Sequence, residues 1–157
     1  EMLSERIEAL PIRKVLTWDA ANLPWDPEYE KKTVGIPLSY VITNSKPAKL
    51  GTHTLLPGKT RIFIKTKDAG DGVAFTGEDW LQLTPVDREV KLSIGQSRDV
   101  KVTQRKVKED RTNLRRNVRN EVVLWDTAEE VKIEIENFKK EAANLVVIEH
   151  IPGYWKM

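Results

Sequence analysis

Apolar and polar residues alternate with a period of two along most of the chain. Residues 33–43 set the pattern: Val34, Ile36, Leu38, Tyr40 and Ile42 fall on one face, and Gly35, Pro37, Ser39 and Thr43 on the other. A half-buried strand requires this spacing. Pro37 offers no N–H, which predicts an edge position or a strand break. Residues Thr60 to Thr66 read as the next strand, opened by a Pro57-Gly58 turn. The Gly- and Asp-rich stretch Lys67 to Gly72 has hairpin-loop composition, and Val73-Ala74-Phe75-Thr76 returns from it. Gly77-Glu78-Asp79 reads as the end of that strand in a bulge or turn. Val90, Leu92 and Ile94 alternate with polar neighbours, as do Val100 and Val102, and Val131, Ile133 and Ile135. Leu145 to Ile148 is continuously apolar, which predicts a strand covered on both faces. Only residues 1–10 suggest a helix, with Leu3, Ile7 and Leu10 at near-helical spacing before Pro11.

These signals add up to about eight or nine strands. They predict an all-β protein, an antiparallel β-sandwich, of which the immunoglobulin-like arrangement is one form. No βαβ alternation is present, so a doubly wound parallel sheet is excluded. Residues 1–11 read as an N-terminal extension or the stub of an upstream segment, and 12–157 as one β-sandwich domain.

Charge sharpens this picture. The 26 basic and 24 acidic residues nearly cancel, giving +2 overall, so no global field favours nucleic acid. The charge is nevertheless segregated. Residues 98–119 carry nine basic and three acidic residues, a net +6, and residues 121–141 carry seven acidic and three basic, a net −4. A basic strand followed by an acidic one predicts two neighbours whose charges pair across the ladder and help set its register. The basic run lacks aromatic residues for stacking on bases, and no nucleic-acid partner is expected. Apolar runs reach only about four residues, as in Val122 to Trp125, whereas a membrane-spanning helix needs about 20. The first residues have no apolar core behind a basic end, so no signal peptide is read there.

Candidate chemistry is sparse. There are no cysteines, which excludes disulfides, thiolate nucleophiles and cysteine-held metals. His53 and His150 lack ligand spacing. Asp68 and Asp71 sit in a Gly-rich loop without the calcium-loop pattern. Phosphate-loop, nucleophile-elbow and dinucleotide motifs are missing. No cofactor, no metal and no enzymatic activity are expected. Glu78 and Asp79 are the carboxylates a hydrolase reading would use, but adjacent strand residues point to opposite faces. The five tryptophans, Trp18, Trp25, Trp80, Trp125 and Trp155, have two readings: a stacking platform for a ligand such as a sugar, or packing in and around the core. Trp18, Trp25 and Trp80, with Glu78 and Asp79, are the candidate ligand or interaction residues.

Several blocks, in order, resemble a prokaryotic domain of unknown function that forms the C-terminal part of mucoidy-inhibitor-A-like proteins. They are Val34-Gly35 leading to Asn44-Ser45; Leu56-Pro57-Gly58-Lys59-Thr60-Arg61-Ile62-Phe63; Phe75-Thr76-Gly77-Glu78-Asp79; Thr84-Pro85; Leu92-Ser93-Ile94-Gly95 with Asp99-Val100; Glu134-Ile135-Glu136-Asn137-Phe138-Lys139; and Glu149-His150-Ile151-Pro152-Gly153. Trp80-Leu81-Gln82-Leu83 departs from the family, which is more polar there. The resemblance implies an all-β domain preceded by other segments, and a place at the cell envelope or in the periplasm. It carries over no catalytic residue. The resulting expectation is a non-catalytic scaffold or protein-interaction module of a larger protein, binding a protein partner or other domains of its parent. Strand addition near Pro37 and an anchor such as Trp80 are the expected means. A carbohydrate-binding module using exposed tryptophans, with polysaccharide as partner, is the alternative.

Overall fold

A computed structural model describes residues 6–22, 30–32, 35–65 and 72–150. Nine strands run through it: β1 (Arg13–Asp19), β2 (Glu30–Lys32), β3 (Ile36–Thr43), β4 (Gly58–Lys65), β5 (Val73–Leu81), β6 (Glu89–Ser97), β7 (Val100–Arg116), β8 (Val122–Asn137) and β9 (Leu145–Ile148). Among the described residues no helix reaches seven residues, and no sheet closes into a barrel. The fold is all-β, antiparallel and sandwich-like, as the alternation predicts. Residues 6–10 form no helix, because the two apolar residues Ile7 and Leu10 make no stripe that a helix could bury; Leu3 lies outside the described residues.

The chain divides into two compact units, each assembled from three stretches. The first comprises Glu1–Trp18, Ile36–Ser97 and Glu141–Val147. Its larger sheet has the order β6-β3-β1-β9, and β4 and β5 form a separate hairpin. β6 alternates as its sequence predicts: Val90 and Leu92 are buried between exposed Glu89, Lys91 and Ser93. β3 behaves differently. It is an interior strand, so Pro37 marks no open edge. Its missing N–H is tolerated because the β1 register reaches only from Val41 to Leu38. Neither face of β3 is open: Ile36, Ser39 and Val41 are buried, and Leu38, Tyr40 and Ile42 are half-buried. Between Leu38 and Ser39 the register against β6 slips by one residue. Gly95 sits at this bulge with φ +120°, a conformation that disfavours any side chain. β9 is the outer strand of its sheet and leaves Val146 46% exposed, so it is not covered on both faces.

β5 returns against β4 as predicted, and β4 begins at Gly58, so Pro57-Gly58 is no turn; residues 67–71 of the predicted loop lie outside the described residues. β5 continues through Gly77-Glu78-Asp79 to Leu81, and the register shift lies opposite Ile62/Phe63 instead of ending the strand. Phe63 and Phe75 meet edge to face at 5.5 Å, a favoured quadrupolar geometry.

Asn44, at the end of β3, is fully buried. Its side-chain amide donates to the carbonyls of His53, Thr84 and Pro85 at 3.1, 3.0 and 3.1 Å. Its Oδ1 accepts from Gly51 N at 2.8 Å. Its backbone N donates to Arg88 O, and its backbone O accepts from Asp87 N, both at 2.8 Å. One side chain thus joins the loop after β3 to the segment that enters β6. Gly51 closes this loop with φ +79°, and a Cβ there would lie 2.7 Å from the backbone of Ser45 and Lys46.

The second unit comprises Asp19–Gly35, Arg98–Lys140 and Ile148–Met157. Its sheet has the order β2-β7-β8. The buried residues of β7 are Val100, Val102, Thr103 and Gln104, all near its start.

Replacing Asn44 with Ala takes the side-chain partner from the buried Gly51 N–H and the part-buried His53 carbonyl, while the Thr84 and Pro85 carbonyls keep Leu55 N and Arg88 N; each buried group left unpaired costs about 1–3 kcal/mol. We expect Asn44→Ala to destabilise the first unit by about 3 kcal/mol, lowering its melting temperature by roughly 10 °C. Gly51→Ala is expected to act in the same direction, through clash and unfavourable φ. Thermal unfolding followed by circular dichroism checks both.

Candidate interaction surface

The longest elements are β7 and β8, of 17 and 16 residues. They pair from Val100↔Asn137 to Arg116↔Val122, a hairpin about 50 Å long at the usual rise per residue. The sequence builds its turn from asparagines. Asn117 N donates to Glu121 O at 3.0 Å, and Asn120 N to Asn117 O at 2.9 Å. Asn117 Oδ1 accepts from Arg119 N and Glu121 N at 2.9 and 3.0 Å. Asn120 takes the left-handed conformation, φ 64°, which asparagine tolerates. Val118 is fully exposed at the apex.

The segregated charges meet across this ladder. Lys101 pairs with Glu136 at 3.1 Å, Arg105 with Glu134 at 3.8 Å, and Lys106 with Glu129 at 2.9 Å. The basic-then-acidic sequence pattern therefore reads correctly as two cross-strand neighbours. Such exposed pairs each contribute little to stability, so their main effect is on register. The proton equilibria follow the pairing. Lys132, hydrogen-bonded to Glu134, holds that carboxyl below the usual glutamate range, and Lys106 does the same for Glu109. Glu109 and Glu129 together hold Lys106 well above the usual lysine range.

Directly opposed residues share a face. One face of the hairpin carries Val102 and Ile135, Gln104 and Ile133, then Lys106 and Val131. Farther along that face, the Arg111 guanidinium lies 4.3 Å from the centre of the Trp125 ring, a cation–π contact. The apolar side chains of β8 on this face remain open: Trp125 is 39% exposed, Val131 42%, Ile133 37% and Ile135 53%. Every residue of β8 is exposed. β2 covers β7 only at Thr103, Gln104 and Arg105, and β8 is the outer strand of the sheet. The alternation at Val131, Ile133 and Ile135 marks this strand in sequence. Its full length is not readable there, because Glu129 and Glu130 interrupt the apolar pattern.

The candidates read from the sequence fall elsewhere. Trp18 is 1% exposed and belongs to the core of the first unit. It cannot be a stacking platform, because the alternation of β1 turns it to the buried side with Leu16. Trp25 lies outside the described residues, as do Asp68, Asp71 and Trp155. Trp80 is 56% exposed on β5. Glu78 is on the same face, held by Lys59 at 2.8 Å and Arg61 at 3.6 Å. Its carboxyl lies below the usual range because Lys59 hydrogen-bonds the charged form, which suits an ion pair and not a general acid. Asp79 is used structurally, accepting from Trp80 N at 2.8 Å and from Ser93 N at 2.6 Å. The two carboxylates do not converge.

His150 Nε2 lies 2.9 Å from Asp19 Oδ1, and Ala21 N donates to the same oxygen at 2.9 Å. These contacts, led by the Ala21 N–H, hold the Asp19 carboxyl below its usual range. Among the described residues no three metal-binding side chains cluster. An open depression of about 420 Å³ beside β1 and β9 is lined by Arg13, Val15 and residues 143–146, and Arg13 there is paired with Glu89. Among the described residues no helix is long and apolar enough to cross a membrane. No protein-family model matches the chain, and no curated protein or solved structure matches it significantly.

The lowered carboxyl pKa values of Glu109 and Glu134 give the hairpin a pH dependence of defined sign. Groups depressed on folding add stability above their unfolded pKa and lose it as the pH falls through the folded value. We expect hydrogen exchange in β7 and β8 to accelerate as the pH falls below the usual glutamate range, after correction for the intrinsic exchange rate. Glu134→Gln should reduce that acceleration.

Proposed function

We propose that the chain is a non-catalytic protein-interaction module and that the β7–β8 hairpin is its binding element. One observation carries this reading: a 16-residue outer strand whose residues are all exposed, with Trp125, Val131, Ile133 and Ile135 open on one face. The charges of β8 lie, Glu129 apart, on its other face, and an outer strand with one open apolar face is normally shortened or covered in natural sheets. A partner that adds to the edge or packs on the face removes this liability and gains apolar burial at about 25 cal/mol per Å². The hairpin replaces Pro37 as the expected place of strand addition, since β3 has no open edge. The absence of convergent carboxylates or a metal-binding cluster among the described residues gives no support to a hydrolase reading. The resemblance to the C-terminal domain of mucoidy-inhibitor-A-like proteins motivates a parent protein at the envelope, with its other domains as the first partners to test.

The exposure of Trp80 favours a second reading, carbohydrate recognition on the outer face of the β4–β5 hairpin. An exposed ring there would stack on a sugar face.

The two readings separate experimentally. The immobilised chain is presented to the parent's other domains and to envelope fractions. Ile133→Asp is expected to weaken a specific capture about tenfold, equivalent to about 1.4 kcal/mol, while Trp80→Ala leaves it unchanged. Tryptophan fluorescence titrated with a glycan panel tests the second reading; a response abolished by Trp80→Ala supports it, and a flat response removes it.

A further inference from the structure

We infer that the edge of β8 pairs with the β8 edge of a second copy of this chain, antiparallel, about a two-fold axis through Glu129. This rests on the interaction-module reading and names the partner of the hairpin. The argument is one of register.

From Leu124 to Asn137 the extra residues of the ladder lie on β7, at Val107 and at Asn113-Leu114 opposite Trp125, and the extra residue of β8 is Val123. The strand is therefore regular enough to pair along its outer side. An antiparallel pair between two copies must bring residues of the same face together. With Glu129 opposite its own copy, Trp125 faces Ile133, Thr127 faces Val131, and Asp126 faces Lys132. The symmetry repeats each of these pairs. The first joins an aromatic to a β-branched side chain and the last joins opposite charges, both favourable across a ladder.

The like-charge contact in this register is Glu129 with its own copy. Lys106 lies 2.9 Å from Glu129 and 2.8 Å from Glu109, the residue opposite Glu129 in the ladder, so each copy brings to that contact one cation shared by two carboxylates. The neighbouring registers are worse. Moving the axis one residue towards Ala128 sets Asp126 opposite Glu130, twice. Moving it one residue towards Glu130 sets Asp126 opposite Glu134, twice, and Glu130 opposite itself. Neither alternative contains an unlike-charge pair. Of these three registers, charge and apolar pattern favour the one centred on Glu129, which is self-complementary as an isologous interface requires.

The natural chain has no cysteine, so any thiol introduced is the only one. Opposed Cα atoms in an antiparallel pair lie about 4.5–5.5 Å apart, within disulfide range. Glu129→Cys is expected to form a disulfide dimer under mild oxidation. Thr127→Cys, displaced from its own copy by four residues, is expected to cross-link at least about tenfold more slowly, while a mixture of Thr127→Cys and Val131→Cys chains gives the mixed dimer. In sedimentation, Lys132→Asp should weaken self-association about tenfold by creating two like-charge pairs. The Asp126→Lys/Lys132→Asp double variant should restore it. Restoration excludes simple misfolding of the hairpin as the cause.

Equal cross-linking at positions 127 and 129, or no rescue by the charge swap, overturns the proposal. So does a monomer at the highest soluble concentration. If the chain is monomeric and Ile133→Asp still weakens capture of another protein, the self-pairing fails while the interaction-module reading stands. If Ile133→Asp affects neither association, both fail.

Discussion

The first unit depends on a single buried amide. Interior carbonyls that leave a strand must find donors or lose about as much free energy as a hydrogen bond provides. Around Asn44 three such carbonyls, on His53, Thr84 and Pro85, converge on one side-chain nitrogen. The same residue uses its Oδ1 and both backbone groups on the facing segments. This ties two irregular connections to each other beside the sheet. It also explains a glycine: Gly51 must approach so closely that no side chain fits.

The second unit solves the opposite problem. Its hairpin is long and little of it is buried, so apolar burial cannot define how its strands align. A one-residue slip would interchange its two faces. Opposite charges across the ladder resist that slip, individually weak but repeated at Lys101, Arg105 and Lys106. The asparagine-built turn fixes the far end. Register also places Val131, Ile133 and Ile135 on one face and leaves Lys132 and Glu134 between them on the other.

Much of this was legible from residue pattern. The period of two at Val90 and Leu92, the pairing of β4 with β5 and the pairing of basic with acidic segments all describe local or nearest-neighbour constraints. These are the constraints a linear sequence displays. Pro37 and the apolar run at Leu145 to Ile148 misled for a common reason. Whether a strand is interior or at an edge depends on what lies beside it, and those neighbours are distant in sequence: β3 lies between β1 and β6, and β9 beside β1. The tryptophans show the same limit. Trp18 and Trp80 have equal chemistry, yet one is 1% and the other 56% exposed.

The sequence alone determined the class of fold, the positions of most strands, the absence of cysteine chemistry and the charge pairing of the two longest strands. These follow from side-chain period, composition and the sign of charge, which need no knowledge of distant contacts. Tertiary structure decided strand order, the burial of Asn44 and Trp18, and the open edge of β8. Each of these depends on which remote segments arrive beside a residue and whether its polar groups are satisfied when they do. That is settled only when the sheet has formed.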